Sequence, residues 1–136
     1  MSLIDAISAS GMAMDAESLR LNTVASNLAN SETTSSTEKD AYHAKMPVFQ
    51  TIMVNNRADS ESVRVKKITE DESAVKRFYD PGNPQADKTG YVYGSNVNRI
   101  EQLTDMISAS QAYQADTQVA NTCKEMMMNT ISMMKE

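Results

Sequence analysis

The chain has 136 residues, of which 40 % are apolar, 23 % charged and 5 % aromatic, with a net charge of −5. That length allows one compact domain or a small domain with long extensions. The acidic balance excludes a surface built to neutralise nucleic-acid phosphates, and a single Cys with a single His excludes both an intrachain disulfide framework and a zinc finger. With no Trp, two Phe and 11 Met, little rigid ring material is available for a deep core. Arg20 is the first basic residue, so no basic segment precedes an apolar stretch as in a cleaved secretory signal. The longest uncharged runs, such as 46–56, reach about half of the roughly 20 residues that a membrane helix needs.

In chain order, residues 2–30 carry a helical period. Ile4, Ile7, Met14, Leu21 and Leu28 alternate with small Gly11, Ser18 and Ala25 in a 3-4 spacing that predicts a coiled-coil-like seam. Ser2 and Asp5 form a capping-box pattern at the start, and Asn30 is expected to stop the helix in a left-handed conformation. Residues 31–37, almost all Ser and Thr, read as loop. Strands are predicted around Val48, Phe49, Ile52 and Val54, around Val63 and Val65, and over Tyr91, Val92 and Tyr93, with Pro47 favouring an edge position. Asp80-Pro81-Gly82-Asn83-Pro84 and Asp87-Lys88-Thr89-Gly90 are turns. From Asn98 the helical period returns. Leu103, Met106, Ser110, Tyr113, Thr117, Ala120, Met127, Ile131 and Met134 fall on one ladder with a polar rung at Lys124, and Asn98 with Glu101 forms a second capping box. The predicted fold is mainly α with a small β insert. It has a long helix in 1–30, a loop-rich β region in 31–96 and a second long helix in 97–136.

Chemistry-bearing residues are few. His43 has Asp40 three residues away but no nucleophile placed beside it, and reads as a surface histidine. Cys123 lies on a mostly apolar helix with no activating base in view. Asp80 and Asp87 are better explained as turn residues than as oxygen ligands of a cation. The four Gly form no phosphate loop. Lys66-Lys67 and Lys76-Arg77, offset by Glu70, Asp71 and Glu72, read as a solvated strand edge. The Met cluster 126–128 with Met133 and Met134 fits either core packing or an adaptable protein-binding surface. We therefore expect no catalytic site, metal, cofactor, small-molecule substrate or nucleic acid. Acidic Asp5, Asp15 and Glu17 disfavour a membrane-surface role for the first helix.

Two helices of about 42 and 57 Å, at about 1.5 Å per residue, exceed what a partly looped insert can cover. One thin apolar seam is a weak return for the backbone entropy lost in ordering them. The terminal helices are thus expected to be loosely ordered alone and to become rigid against neighbouring subunits.

Specific residues add a family resemblance. The run 21–33, containing Ser26-Asn27-Leu28-Ala29-Asn30 and then, after two intervening residues, Thr33, resembles the signature that ends the first helix of bacterial flagellar rod and hook proteins. Tyr79 to Pro84, Ala86-Asp87, Gly90-Tyr91-Val92 and Asn96-Val97 resemble the proximal-rod members of that family. So do 106–110, Tyr113-Gln114-Ala115, and Tyr42, Ala44, Lys45 and Phe49. The chain departs from the family at Gln111, where members often carry Arg, and in its Met-rich end. The resemblance implies a non-enzymatic axial subunit that stacks helically into the basal-body rod and transmits torque across the periplasm. It implies type III export without a cleaved signal, other rod subunits and further copies of itself as partners, and an inner layer formed by both terminal helices. Ser26 to Thr33 would then lie where the first helix turns into the insert, with Asn121 and Thr122 in the inner C-terminal helix. The expected assembly residues are Ile4, Ile7, Met14, Leu21, Leu28, Leu103, Met106, Tyr113, Ala120 and Met127. Two other readings share some of these features: a helical adaptor or secretion-system component that never polymerises, and a small enzyme, which would require His43 or Cys123 in a cleft beside a second polar group.

Overall fold

The computed structural model describes residues 2–53 and 61–134, so the predicted strand position Val54 lies outside the described residues. Among the described residues, two long helices, α1 (Leu3–Ala29) and α2 (Arg99–Met133), enclose an insert with five strands: β1 (Thr34–Ser35), β2 (Lys45–Met53), β3 (Glu61–Glu70), β4 (Arg77–Tyr79) and β5 (Tyr91–Gly94). A single 3₁₀ turn, Glu38–Asp40, separates β1 from β2. The mainly α architecture with a small β insert agrees with the sequence reading.

Both helix starts follow their side chains. Ser2 accepts from the Asp5 N–H at 3.1 Å while the Asp5 carboxylate accepts from the Ser2 N–H at 3.0 Å, closing the box. Asn98 accepts from Ile100 N–H at 3.2 Å and Glu101 N–H at 3.5 Å. The end of α1 differs from expectation. Asn30 has φ −101° and ψ 6°, not a left-handed conformation. The helix stops through side chains instead: Asn30 Nδ2 donates to the Ser26 carbonyl at 2.8 Å, and Ser31 Oγ donates to that of Leu28 at 2.8 Å. These side chains satisfy carbonyls that the ending helix leaves open.

The helices run antiparallel. Asn27 meets Gln102, Met14 meets Thr117, and Leu3 and Ile4 flank the same hollow as Met127 and Ile131. β2 and β3 form an antiparallel two-stranded ribbon with a register shift at Val48/Phe49. Pro47 therefore sits in a strand with one paired edge, where its missing N–H is tolerated. The ribbon lies against α1, where Ile52, Val63 and Val65 face Met12, Ala16 and Leu19 across a hollow of about 270 Å³. The second sheet has the order β1-β5-β4. The predicted loop 31–37 thus contributes β1, and β4 is an additional strand.

The core is made of small residues. The buried apolar side chains are Ala16, Val24, Ala41, Ala44, Val92, Val97, Ala109 and Cys123. Every Leu, Ile, Met and Phe among the described residues keeps part of its surface in solvent.

Candidate assembly surface and the clasp beneath it

The signature residues build a polar clasp where α1 leaves for the insert. Asn27 is 1 % exposed. Its Nδ2 donates to the Lys45 carbonyl and to Gln102 Oε1, both at 2.8 Å. Its Oδ1 accepts from Lys45 N–H at 2.8 Å and from the Tyr42 hydroxyl at 3.0 Å. Two donors and two acceptor positions are all used, which is what a buried amide requires. One side chain thereby joins α1, β2 and α2. Ser26 Oγ lies 3.2 Å from the Tyr42 oxygen, and Thr33 Oγ1 donates to the Asn30 carbonyl at 2.7 Å. Leu28 is half-buried and Ala29 exposed. Arg99 pairs with Glu32, tying the start of α2 to the same exit.

Further along the pair, Arg20 of α1 bonds Asp105 of α2 and lies 3.5 Å from Glu17. The bond to Asp105 holds the Arg20 guanidinium above its ordinary range, against the opposing effect of burial.

A second asparagine closes the insert. Asn96 Oδ1 accepts from Ala44 N–H at 2.7 Å, while Nδ2 donates to the Asp71 carbonyl at 3.0 Å and to Ser73 Oγ at 3.0 Å. At the β4–β5 turn, Asp87 Oδ1 accepts from Thr89 Oγ1 at 2.6 Å, Thr89 N–H at 2.7 Å and Tyr91 N–H at 3.0 Å. These bonds, the Thr89 hydroxyl first, hold the Asp87 carboxyl below its ordinary range. Gly90 closes this turn at φ +81°, and Arg77 stacks 3.9 Å from the Tyr91 ring centre. Asp80 and Asp87 are turn residues in the structure.

The expected assembly residues divide by exposure. Ile7, Met14, Leu21, Leu28, Met106, Ala120 and Met127 are half-buried, whereas Ile4, Leu103 and Tyr113 are exposed. Within the chain, Ala109 is 0 % exposed and Cys123 is buried, while Thr117 and Met127 of the predicted ladder meet α1 at Met14 and at Leu3 and Ile4. Small side chains let two helices approach closely and push bulky ones to the flanks. On α1, Ser18 and Ala25 are exposed, and a Cβ added at Gly11 meets nothing within 4 Å. The small positions of that seam are therefore left free by the chain's own packing.

The sequence ladder includes Leu103 but not Ile100 and Ile107, which complete an outward apolar face at the start of α2. Ile100, Leu103 and Ile107 recur at helical spacing and are 78 %, 51 % and 60 % exposed. Met126, Met128, Ile131, Met133 and Met134 are exposed at the other end of the helix. The spacing of Ile100, Leu103 and Ile107 was the available signal, masked by a parallel ladder that also contains Leu103.

His43 stands beside Asn96, 3.4 Å from its Nδ2, while Cys123 lies on a different element, α2. His43 Nδ1 lies 2.8 Å from the Asp71 carbonyl, at an open hollow of about 680 Å³. Cys123 is buried on α2. Among the described residues no group of three His, Cys, Asp or Glu is placed to hold a metal ion, and no helix is long and apolar enough to cross a membrane.

Comparison with known proteins gives the same segments a family. A model described as "Flagella basal body rod protein" matches residues 7–35, which span most of α1 and its exit. A model described as "Flagellar basal body rod FlgEFG protein C-terminal" matches residues 88–133, which span β5 and α2. The chain is thus a member of the flagellar basal-body rod proteins, with long terminal helices around a β insert. Flagellar basal-body rod protein FlgC of Salmonella typhimurium is 38 % identical over 133 residues, covering 98 % of each chain. FlgC of Buchnera aphidicola from Schizaphis graminum is 40 % identical over 136 residues, covering 97 % of this chain and 98 % of the relative. FlgC of Borreliella burgdorferi is 32 % identical over 152 residues, covering 99 % of each. Within the rod proteins, the chain belongs to the FlgC family.

Proposed function

We propose that this chain is a structural axial subunit of the proximal rod, polymerising with other rod subunits and with itself through α1 and α2, and acting without catalysis or cofactor. The observation that carries this reading is the inverted size order of burial. The core is Ala, Val and Cys, while Ile100, Leu103, Ile107 and the Met-rich end of α2 face outward. A contiguous apolar stripe of this kind marks an association surface. Covering the three residues of the stripe contributes about 3–5 kcal/mol per subunit, at about 1.5–3 kcal/mol for a full side chain and discounted for the part already covered. The segments 1–30 and 97–136 would form the inner layer of the rod and gain rigidity as neighbours cover them. Residues 31–96 would stand outside that layer, with the clasp at Asn27 fixing their angle. Torque transfer follows from geometry, because many long helical seams must shear together before the shaft can twist. In this reading the chain reaches the rod through the flagellar type III apparatus without a cleaved signal and lies where the rod crosses the periplasm.

The test is the variant I100E/L103E/I107E, expressed in flagellated cells lacking the native chain. The expected result is a chain that folds, with an unchanged helical circular dichroism spectrum, and is absent from purified basal bodies. Normal incorporation and motility overturn the reading. A non-polymerising adaptor would instead form a complex of fixed size with one rod subunit in sedimentation, with no growth as both are concentrated.

A further inference from the structure

The β2–β3 ribbon carries a charge pattern that the helix-based reading does not use. Arg64, Lys66 and Lys67 are exposed and belong to none of the ion pairs formed among the described residues. The two strands hold four cations (Lys45, Arg64, Lys66 and Lys67) against two carboxylates (Glu61 and Glu70), in a chain whose net charge is −5. The sign then reverses within a few residues. Glu70 and Glu72 are exposed at the base of the ribbon, while Asp71 between them is held by Ser73 N–H and Oγ, both at 2.9 Å. This acidic base lines the hollow of about 680 Å³ together with Ile68, Lys39 and His43. A solvated strand edge needs charge but no grease, yet Met46, Phe49, Met53 and Ile68 on the same strands are each at least 40 % exposed. Apolar centres rimmed by unpaired charge are the composition of an interface. A two-stranded ribbon is also marginal on its own and has open outer edges.

We propose that this ribbon is a second self-association surface, in which Arg64, Lys66 and Lys67 of one copy meet Glu70 and Glu72 at the ribbon base of the next. A second copy is the occupant because the chain itself supplies the complement: exposed cations at Arg64, Lys66 and Lys67 and exposed carboxylates at Glu70 and Glu72. The two half-surfaces differ, so the contact is heterologous and repeats with one polarity from copy to copy. That polarity suits the proposed rod. The contact lies on the insert and not on the helix stripe, and it is read in purified protein, so its failure and the failure of the rod reading are separable.

The test is sedimentation velocity of the full chain over a concentration series, at about 50 and about 500 mM NaCl. Wild type is expected to self-associate more tightly at low salt. K66E/K67E and E70K/E72K should each weaken association roughly tenfold. The quadruple variant K66E/K67E/E70K/E72K should associate with itself again. Circular dichroism confirms that each variant is folded. The proposal is overturned if wild type shows no association, if either double variant associates like wild type, or if the quadruple variant is as weak as the doubles. It is also overturned if wild type is retained on phosphatidylglycerol vesicles and K66E/K67E is released from them with self-association unchanged, since the cations would then be reading an anionic lipid surface.

Discussion

Replacing Asn27 with Ala removes four hydrogen bonds at a position that is 1 % exposed. The Lys45 N–H and carbonyl lose their side-chain partner where the chain passes beneath α1. Leaving these part-buried backbone groups unpaired costs about 1–3 kcal/mol. Gln102 and Tyr42 are only half-buried and recover water, so their bonds add about 1 kcal/mol together. The expected loss is about 2–4 kcal/mol, a large share of the roughly 5–15 kcal/mol that holds a typical domain. Urea unfolding followed by circular dichroism measures it directly, and the thermal midpoint should fall by on the order of 10 °C. A double-mutant cycle with Gln102→Ala should give a coupling of about 0.5–1.5 kcal/mol, because each change removes the same bond. Stability within about 0.5 kcal/mol of wild type would mean that the clasp holds nothing that water does not replace.

Gly11→Ala should stabilise the isolated chain by about 0.5–1 kcal/mol, because Gly weakens a helix interior and the added methyl meets nothing within 4 Å. The same variant should lower incorporation into basal bodies if a neighbouring helix uses that gap, which quantitative blotting of purified basal bodies would detect. Gly90→Ala should destabilise the chain by about 1–2 kcal/mol in urea unfolding, since φ is +81° and the new Cβ would lie 2.9 Å from the Tyr79 ring. Asp87 titrates lower in the folded chain than its ordinary value near 3.8 because its carboxylate accepts from Thr89 and Tyr91. Its contribution is therefore present above about pH 4 and is lost as pH falls through the lower folded value. Asp87→Asn should flatten the acid limb of stability against pH, measured by thermal unfolding between about pH 2 and 6.

Local chemistry made the helix starts legible. Ser2 with Asp5, and Asn98 at the head of the second ladder, needed nothing from the rest of the chain. β1 and β4 were hidden for the opposite reason. Thr34-Ser35 and Arg77–Tyr79 become strands only because β5 offers them a ladder, and neither carries a strand pattern of its own. On α2 hydrophobicity weights Leu103 and Tyr113 above Ala109 and Cys123, so the ladder did not show which positions the chain itself buries: Ala109 and Cys123 are buried, while Leu103 and Tyr113 are exposed. At Asn30 the resident side chains satisfied the helix end, so no left-handed residue was required. The signature at Ser26 to Thr33 was visible as a resemblance, but its physical work was not. A polar residue inside an amphipathic helix does not announce that its four hydrogen bonds go to three residues up to 75 positions away.

In an assembled rod, neighbouring subunits should cover the outward apolar residues of the helix pair. A side-chain-resolution reconstruction of the assembled basal body tests it most directly. This chain should lie in the proximal rod, with Ile100, Leu103 and Ile107 pressed against adjacent helices and the Met-rich end of α2 enclosed. Finding those side chains facing open solvent in the assembled rod would contradict it.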